Sequence, residues 1–173
     1  IKKFSNGILC NKIISRNLFE RTVSEILNID VTTQNKNFNN VNANKYFLRI
    51  IRPNLKSDFN PPHKDVYIGR LKSAVNIYLP ICGSNNKSAL PIFPKSHKIN
   101  ENNIFKSKNH SKFNNKKFTV PTIVKCRPDL KLVRPNPKIH QLLIFSPYLI
   151  HGGGINENKN LTRISIEARF WRK

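Results

Sequence analysis

Acidic residues are scarce in this chain. Nine Asp and Glu stand against 31 Lys and Arg in 173 residues, a formal charge of +22, so the molecule draws anions whatever its fold. Long apolar runs are missing too. No stretch of about 18 apolar residues and no terminal apolar segment is present, and a soluble protein is expected. Cysteine is sparse: Cys10, Cys82 and Cys126 are odd in number, far apart and without a CxxC pair. That argues against a disulfide framework and a structural zinc site, and for reduced thiols in a cytoplasmic setting. The basic residues form neither a helical arginine stripe nor a tandem of basic and aromatic positions. They are mixed with asparagine, as at 35–44 and 100–115, a pattern that compositional drift also produces, so nucleic-acid binding is not the favoured primary function.

The length fits one domain, residues 1–173. Residues 15–29, SRNLFERTVSEILNI, place Leu18, Phe19, Val23, Ile26 and Leu27 on one helical stripe with Ser15 as cap. The Asn-rich stretch 35–45 reads as loop, and residues 45–53 as a strand ended by Pro53. Further strands are expected at Asp65–Leu71, Ala74–Leu79, Leu90–Phe93, Thr119–Lys125, Gln141–Phe145 and Thr162–Phe170. Short β runs broken by Pro, Gly and Asn point to a mainly β sandwich or closed jelly roll. The basic stretch 98–117 is long for a plain connection and is either a flexible insertion or a lid over a site.

Three residues carry a chemical hypothesis. His63 and Asp65 are two apart on an expected strand, where alternation projects both into the same space. His151 follows the apolar run LLIF and precedes Gly152, Gly153 and Gly154, which permit a tight backbone turn. Two imidazoles and a carboxylate suit iron(II) with open coordination positions, although zinc, manganese or nickel can occupy the same atoms. An HxD pair also arises by chance in a chain with five histidines. His97, His110 and His140 have no such pattern around them.

Twelve residues beyond His151 the chain reads RISIEARFW, with Arg163, Ser165 and Glu167 on one strand face and Ile164, Ile166, Ala168 and Phe170 on the other. The polar side either meets solvent or lines a cavity. In a cavity, Arg163 offers a rigid fork to a distant carboxylate and Ser165 adds a hydroxyl. Tyr67 shares the face of His63 and Asp65 by alternation, and Asn76 is a further cavity candidate. Arg49, Arg52 and Arg70 lie near the motif and suggest a basic cavity, though alternation lets at most one of Arg49 and Arg52 reach it.

With these residues in view, the chain resembles the iron(II)/2-oxoglutarate-dependent dioxygenases, within them the phytanoyl-CoA dioxygenase-like group, from about Tyr46 to Phe170. The family's HxD pattern corresponds to His63 and Asp65, its distal histidine to His151 and its 2-oxoglutarate arginine to Arg163, with Ser165 two residues on. SALPIFPKSHK at 88–98 looks like the family's apolar strand and Pro-x-Ser-His turn. The resemblance implies a double-stranded β-helix (jelly roll, cupin-like) with a supporting N-terminal helix. It implies Fe(2+), 2-oxoglutarate and O2 as cofactors, with His63, Asp65 and His151 as ligands and Arg163 and Ser165 as co-substrate contacts. Tyr67 and Asn76 are secondary contacts, and the intact Asp65 favours hydroxylation over halogenation. The expected partner is a small-molecule substrate, with anions drawn by the charge. A cupin-like metal-dependent isomerase and a noncatalytic jelly-roll binding protein are the alternatives, and nothing in the sequence sets the oligomeric state.

Overall fold

The computed structural model describes residues 15–34, 46–107, 112–113, 116–117, 120–138 and 140–173. Cys10, the Asn-rich loop 35–45, His110 and parts of 98–117 lie outside them. Among the described residues the chain is mainly β, with antiparallel strand pairs and one α-helix. No closed barrel forms among them, so the expectation of a mainly β fold holds and that of a closed jelly roll does not extend to the described residues.

Helix α1 (Arg16–Leu27) starts at Ser15, whose hydroxyl accepts from the Leu18 amide, and stops at Asn28 in the left-handed conformation. Phe19 and Val23 are buried as the stripe requires, whereas Leu18 and Ile26 are about half exposed. The helix is seated instead by a polar corner. Glu20 Oε1 accepts from the Thr33 amide and hydroxyl, both at 2.7 Å, and from the Thr32 hydroxyl at 3.2 Å, which ties α1 to β1 (Val31–Thr32).

The main sheet is built on β9 (Arg163–Arg172), whose ten residues pair with β1 and β2 (Phe47–Ile51) on one edge and with β3 (Val75–Cys82) on the other. Beyond β3 lies β8 (Leu143–Phe145). Register places Asn76 opposite Arg169, Tyr78 opposite Glu167 and Pro80 opposite Ser165. One face of this sheet carries Ile77, Ile166, Ala168 and Phe170 against Phe19 and Val23 of α1. The period-2 alternation of RISIEARFW puts the charged residues on the other face.

Short segments form an irregular layer over that polar face. His63 pairs with His151 and Ile92 with both His151 and Val133, each as an antiparallel bridge. The Ile123 amide donates to Pro62 O and so joins β7 (Ile123–Cys126), which pairs with β4 (Ile104–Lys106). Ile104, Ile123, Cys126, Phe93 and Ile150 make a second apolar cluster under this layer. Lys112–Phe113 and Lys116–Lys117 (β5 and β6) pair as a hairpin within the basic stretch.

Two strand expectations need correction. Asp65–Leu71 is not a strand but two 3-10 turns, Asp65–Tyr67 and Gly69–Leu71, and Leu90–Phe93 contributes a single bridging residue rather than a ladder. Both segments lie in the upper layer, where side-chain contacts to the sheet below replace long ladders as the source of order. No described helix is long and apolar enough to cross a membrane.

Candidate metal centre

His63 and His151 face each other across the upper layer, with each amide donating to the other's carbonyl at 3.0 Å. This brings their imidazoles to 4.3 Å between ring centres. Such closeness of two backbones depends on Gly152 and Gly153. Gly152 has φ +87°, and a Cβ there would stand 2.9 Å from the carbonyl oxygens of Asn60 and Pro61; Gly153, at φ +85°, would strike the Pro62 ring. From the other side, Ser96 is fully buried and its hydroxyl accepts from the Ile150 amide at 2.8 Å. The Pro-x-Ser-His turn therefore braces the residue next to His151, while its own His97 is exposed.

Each imidazole is oriented by its backbone. His63 Nδ1 lies 2.8 Å from Pro61 O and His151 Nδ1 3.0 Å from Leu149 O. A carbonyl oxygen only accepts, so Nδ1 carries a proton in both rings and Nε2 is the ring atom left to face an ion. Both Nε2 atoms converge on Asp65 Oδ1, at 3.4 and 3.7 Å. Adjacent octahedral ligands ~2.1 Å from a divalent first-row ion are ~3 Å apart, so the three buried groups, whose donor atoms lie within 4.8 Å of one another, fit a shared ion after small movements. This His–Asp–His group is the one set of three such side chains found among the described residues.

Burial favours neutral groups here, and the charges answer it unequally. His151 is lowered from its ordinary 6.5 to about 4, by burial first and by His63 second. It is therefore neutral at physiological pH, and its contact with Asp65 is not an ion pair. Burial alone would raise the Asp65 carboxyl. Arg169, reinforced by the two imidazoles, holds it well below the usual carboxylate range. Both protonation states are those a metal ligand requires.

The residues expected by alternation divide. Ser165 is fully buried and Arg163 nearly so, both on the site face of β9. Arg163 donates through Nη1 to Ser88 O at 3.0 Å and stacks 5.5 Å over the Tyr78 ring; burial lowers its pKa. Asn76 is buried on β3. Among the described residues the Arg163 Nε, the Ser165 hydroxyl and both amide atoms of Asn76 have no hydrogen-bond partner, an arrangement that costs about 1–3 kcal/mol per group until a partner arrives. Tyr67 goes elsewhere. Its hydroxyl donates to Glu101 at 3.0 Å and its ring packs with the Phe93 and Ile104 cluster, because the 3-10 turn at Asp65 advances ~120° per residue and sends Tyr67 away from the face that Asp65 uses.

Three participants were not in the sequence reading as site residues. Arg169 donates to Asp65 Oδ2 from Nε at 3.1 Å and Nη2 at 2.8 Å. Glu167 accepts from Arg49 Nε at 3.0 Å and lies 3.9 Å from Arg169. Phe145 stands edge-on to His151, 5.0 Å between ring centres. Extending the β9 alternation one step past Glu167 identifies Arg169; Phe145 carries no sequence signal beyond its strand. Of the three arginines named near the motif, Arg49 reaches the site face, Arg52 pairs with Asp58 at 2.7 Å, and exposed Arg70 offers its carbonyl to Trp171. On the site face three arginines (49, 163 and 169) meet two carboxylates (Asp65 and Glu167), and Arg163 has no carboxylate in salt-bridge contact among the described residues.

No protein-family model matches the chain, and no curated protein matches it. The described residues form a mainly β protein with a buried His–Asp–His group able to hold a metal ion.

Proposed function

We propose that this protein is an iron(II)- and 2-oxoglutarate-dependent dioxygenase that hydroxylates a small-molecule substrate. The observation that carries the reading is a buried arginine without a carboxylate partner on the same sheet face as a two-histidine, one-carboxylate group. A cupin-like isomerase or a binding module needs the metal ligands but has no use for Arg163. The unpartnered atoms of Arg163, Ser165 and Asn76 fit the oxygen-rich co-substrate, since all three can donate to carboxylate or keto oxygens.

In this reading His63, Asp65 and His151 hold iron(II), which when bound supplies O2 activation coupled to oxidative decarboxylation of 2-oxoglutarate. The protein's own contributions are binding, orientation and exclusion of water. Arg163 takes the distal carboxylate through its free Nε edge while Ser88 O and the Tyr78 ring keep the guanidinium in place, and Ser165 adds a donor to the same group. Asn76 supplies an amide donor on the neighbouring strand. Phe145 restricts solvent beside His151 and Tyr78 does so beside Arg163, which strengthens each polar contact there.

The test is anaerobic titration of iron-loaded protein with 2-oxoglutarate, followed through the metal-to-ligand charge-transfer band, for wild type and Arg163→Leu. Wild type develops the band and the variant requires at least ~30-fold more co-substrate, in line with ~2–3 kcal/mol for a buried charge-assisted pair, while retaining metal. Absence of the band in wild type favours the isomerase or binding module; equal affinity in the variant removes Arg163 as the anchor.

A further inference from the structure

We infer that Arg169 is the positioning residue that makes Asp65 a one-oxygen ligand. This rests on the metal-site reading above, though not on the identity of the co-substrate. The two carboxylate oxygens of Asp65 face different worlds. Oδ1 is the point on which both imidazole Nε2 atoms converge, while Oδ2 accepts two N–H groups from Arg169. An oxygen holding two charge-assisted donors at 2.8 and 3.1 Å has no lone pair directed at an ion. A rotation of the carboxylate that brought Oδ2 to the metal would break both bonds in a site where Asp65 is 2 % exposed.

Arg169 is itself fixed. Its guanidinium lies 5.5 Å over the Phe47 ring and 3.9 Å from Glu167, and Glu167 accepts from Arg49, which lies over the same ring at 5.7 Å. The order Arg49, Glu167, Arg169, Asp65 thus runs across β2 and β9 to the metal ligands, alternating in charge, with Phe47 as a common platform. Glu167 and Arg169 keep only 13 and 14 % side-chain exposure, so neither is free to leave the chain of contacts. The coordination consequence is specific. One oxygen from Asp65 and one nitrogen from each histidine leave three of six octahedral positions open, whereas a chelating Asp65 would leave two. A co-substrate that binds through two atoms and a molecule of O2 together need three.

Manganese(II) tests this without turnover or 2-oxoglutarate. Its binding is followed by electron paramagnetic resonance of the free ion, and its water ligands are counted from line broadening in oxygen-17 water, for wild type, Arg169→Met and Arg169→Gln. Expected are three waters on the wild-type ion, two on the ion in Arg169→Met, and a 10- to 100-fold weaker affinity in that variant, the usual scale for losing a group that orients a ligand. Arg169→Gln keeps one donor to Oδ2 and recovers part of both, and it serves alone if Arg169→Met does not fold. A purely structural role lowers the folded fraction, read by circular dichroism, without altering the water count. Unchanged affinity and water count in both variants overturn the inference, as does failure of wild type to bind the ion. Normal manganese behaviour beside an absent 2-oxoglutarate band sinks the dioxygenase reading and leaves the role of Arg169 intact.

Discussion

The two faces of β9 solve opposite problems. Toward α1, Ile166, Ala168 and Phe170 are buried with Phe19, Val23 and Ile77, and Phe170 meets Phe19 edge to face at 5.2 Å between ring centres. Packing satisfies the apolar groups there, and only the Tyr46 hydroxyl in that cluster is buried without a hydrogen-bond partner among the described residues. One residue out of step, Arg163 and Ser165 are buried and Glu167 and Arg169 partly buried among charges, and the Arg163 Nε and the Ser165 hydroxyl lack partners among the described residues. The polar face is held in a costly state that a ligand would relieve, so close packing and the candidate site are separated across the thickness of one strand.

The comparison breaks most visibly on the packed face. Phe170→Ala removes a ring that is 0 % exposed and should cost about 3–5 kcal/mol in urea unfolding, while folded protein keeps wild-type metal affinity. A loss of metal affinity without loss of stability would show that the faces are coupled.

Acid sharpens it. His151 lies at about 4 in the folded protein against an ordinary 6.5, so the unfolded chain binds more protons between these values. Its contribution is therefore complete above pH 6.5 and is lost as pH falls toward 4, about 3 kcal/mol in chelator-treated protein. Asp65, lowered further, adds a loss below its ordinary 3.8. Unfolding measured from pH 7 to 4.5 should show this slope in wild type and lack it in His151→Gln; a flat wild-type profile contradicts the burial of a neutral imidazole.

The smallest effect is the most discriminating. Ser165→Ala removes an unpartnered buried hydroxyl and should raise the stability of ligand-free protein by about 1 kcal/mol while weakening 2-oxoglutarate several-fold. A decrease in both would mean that the hydroxyl has a partner in the free protein.

Much of this division is legible in the sequence, for a physical reason. RISIEARFW alternates cleanly because one of its faces is packed and the other polar, and period 2 is visible wherever the two environments differ. Ser15 and the apolar spacing likewise mark α1. The HxD spacing brings His63 and Asp65 together through an argument that does not hold locally: Asp65 begins a 3-10 turn, so the alternation that joins it to His63 wrongly adds Tyr67. Residues 90–93 look like a strand because they are apolar, yet pairing depends on Val133 and His151, which sequence distance hides. Arg169 is readable from alternation but not its partner, since its link to Asp65 crosses 104 positions.

The reciprocal backbone pairing of His63 with His151 also orders events in time. Its two hydrogen bonds join residues separated by about half of the chain, with β3 to β8 lying between. A contact of such long sequence separation carries a large loop-closure cost and is reached only when nearer pairings have shortened the path. In the nascent or denatured chain, His63 and Asp65 are neighbours but their third companion is remote, so an ion met early finds at best two of the three groups. Coordination by all three groups would thus wait until this layer has assembled, and an ion bound there would act chiefly by slowing the first step of unfolding rather than by guiding the first step of folding.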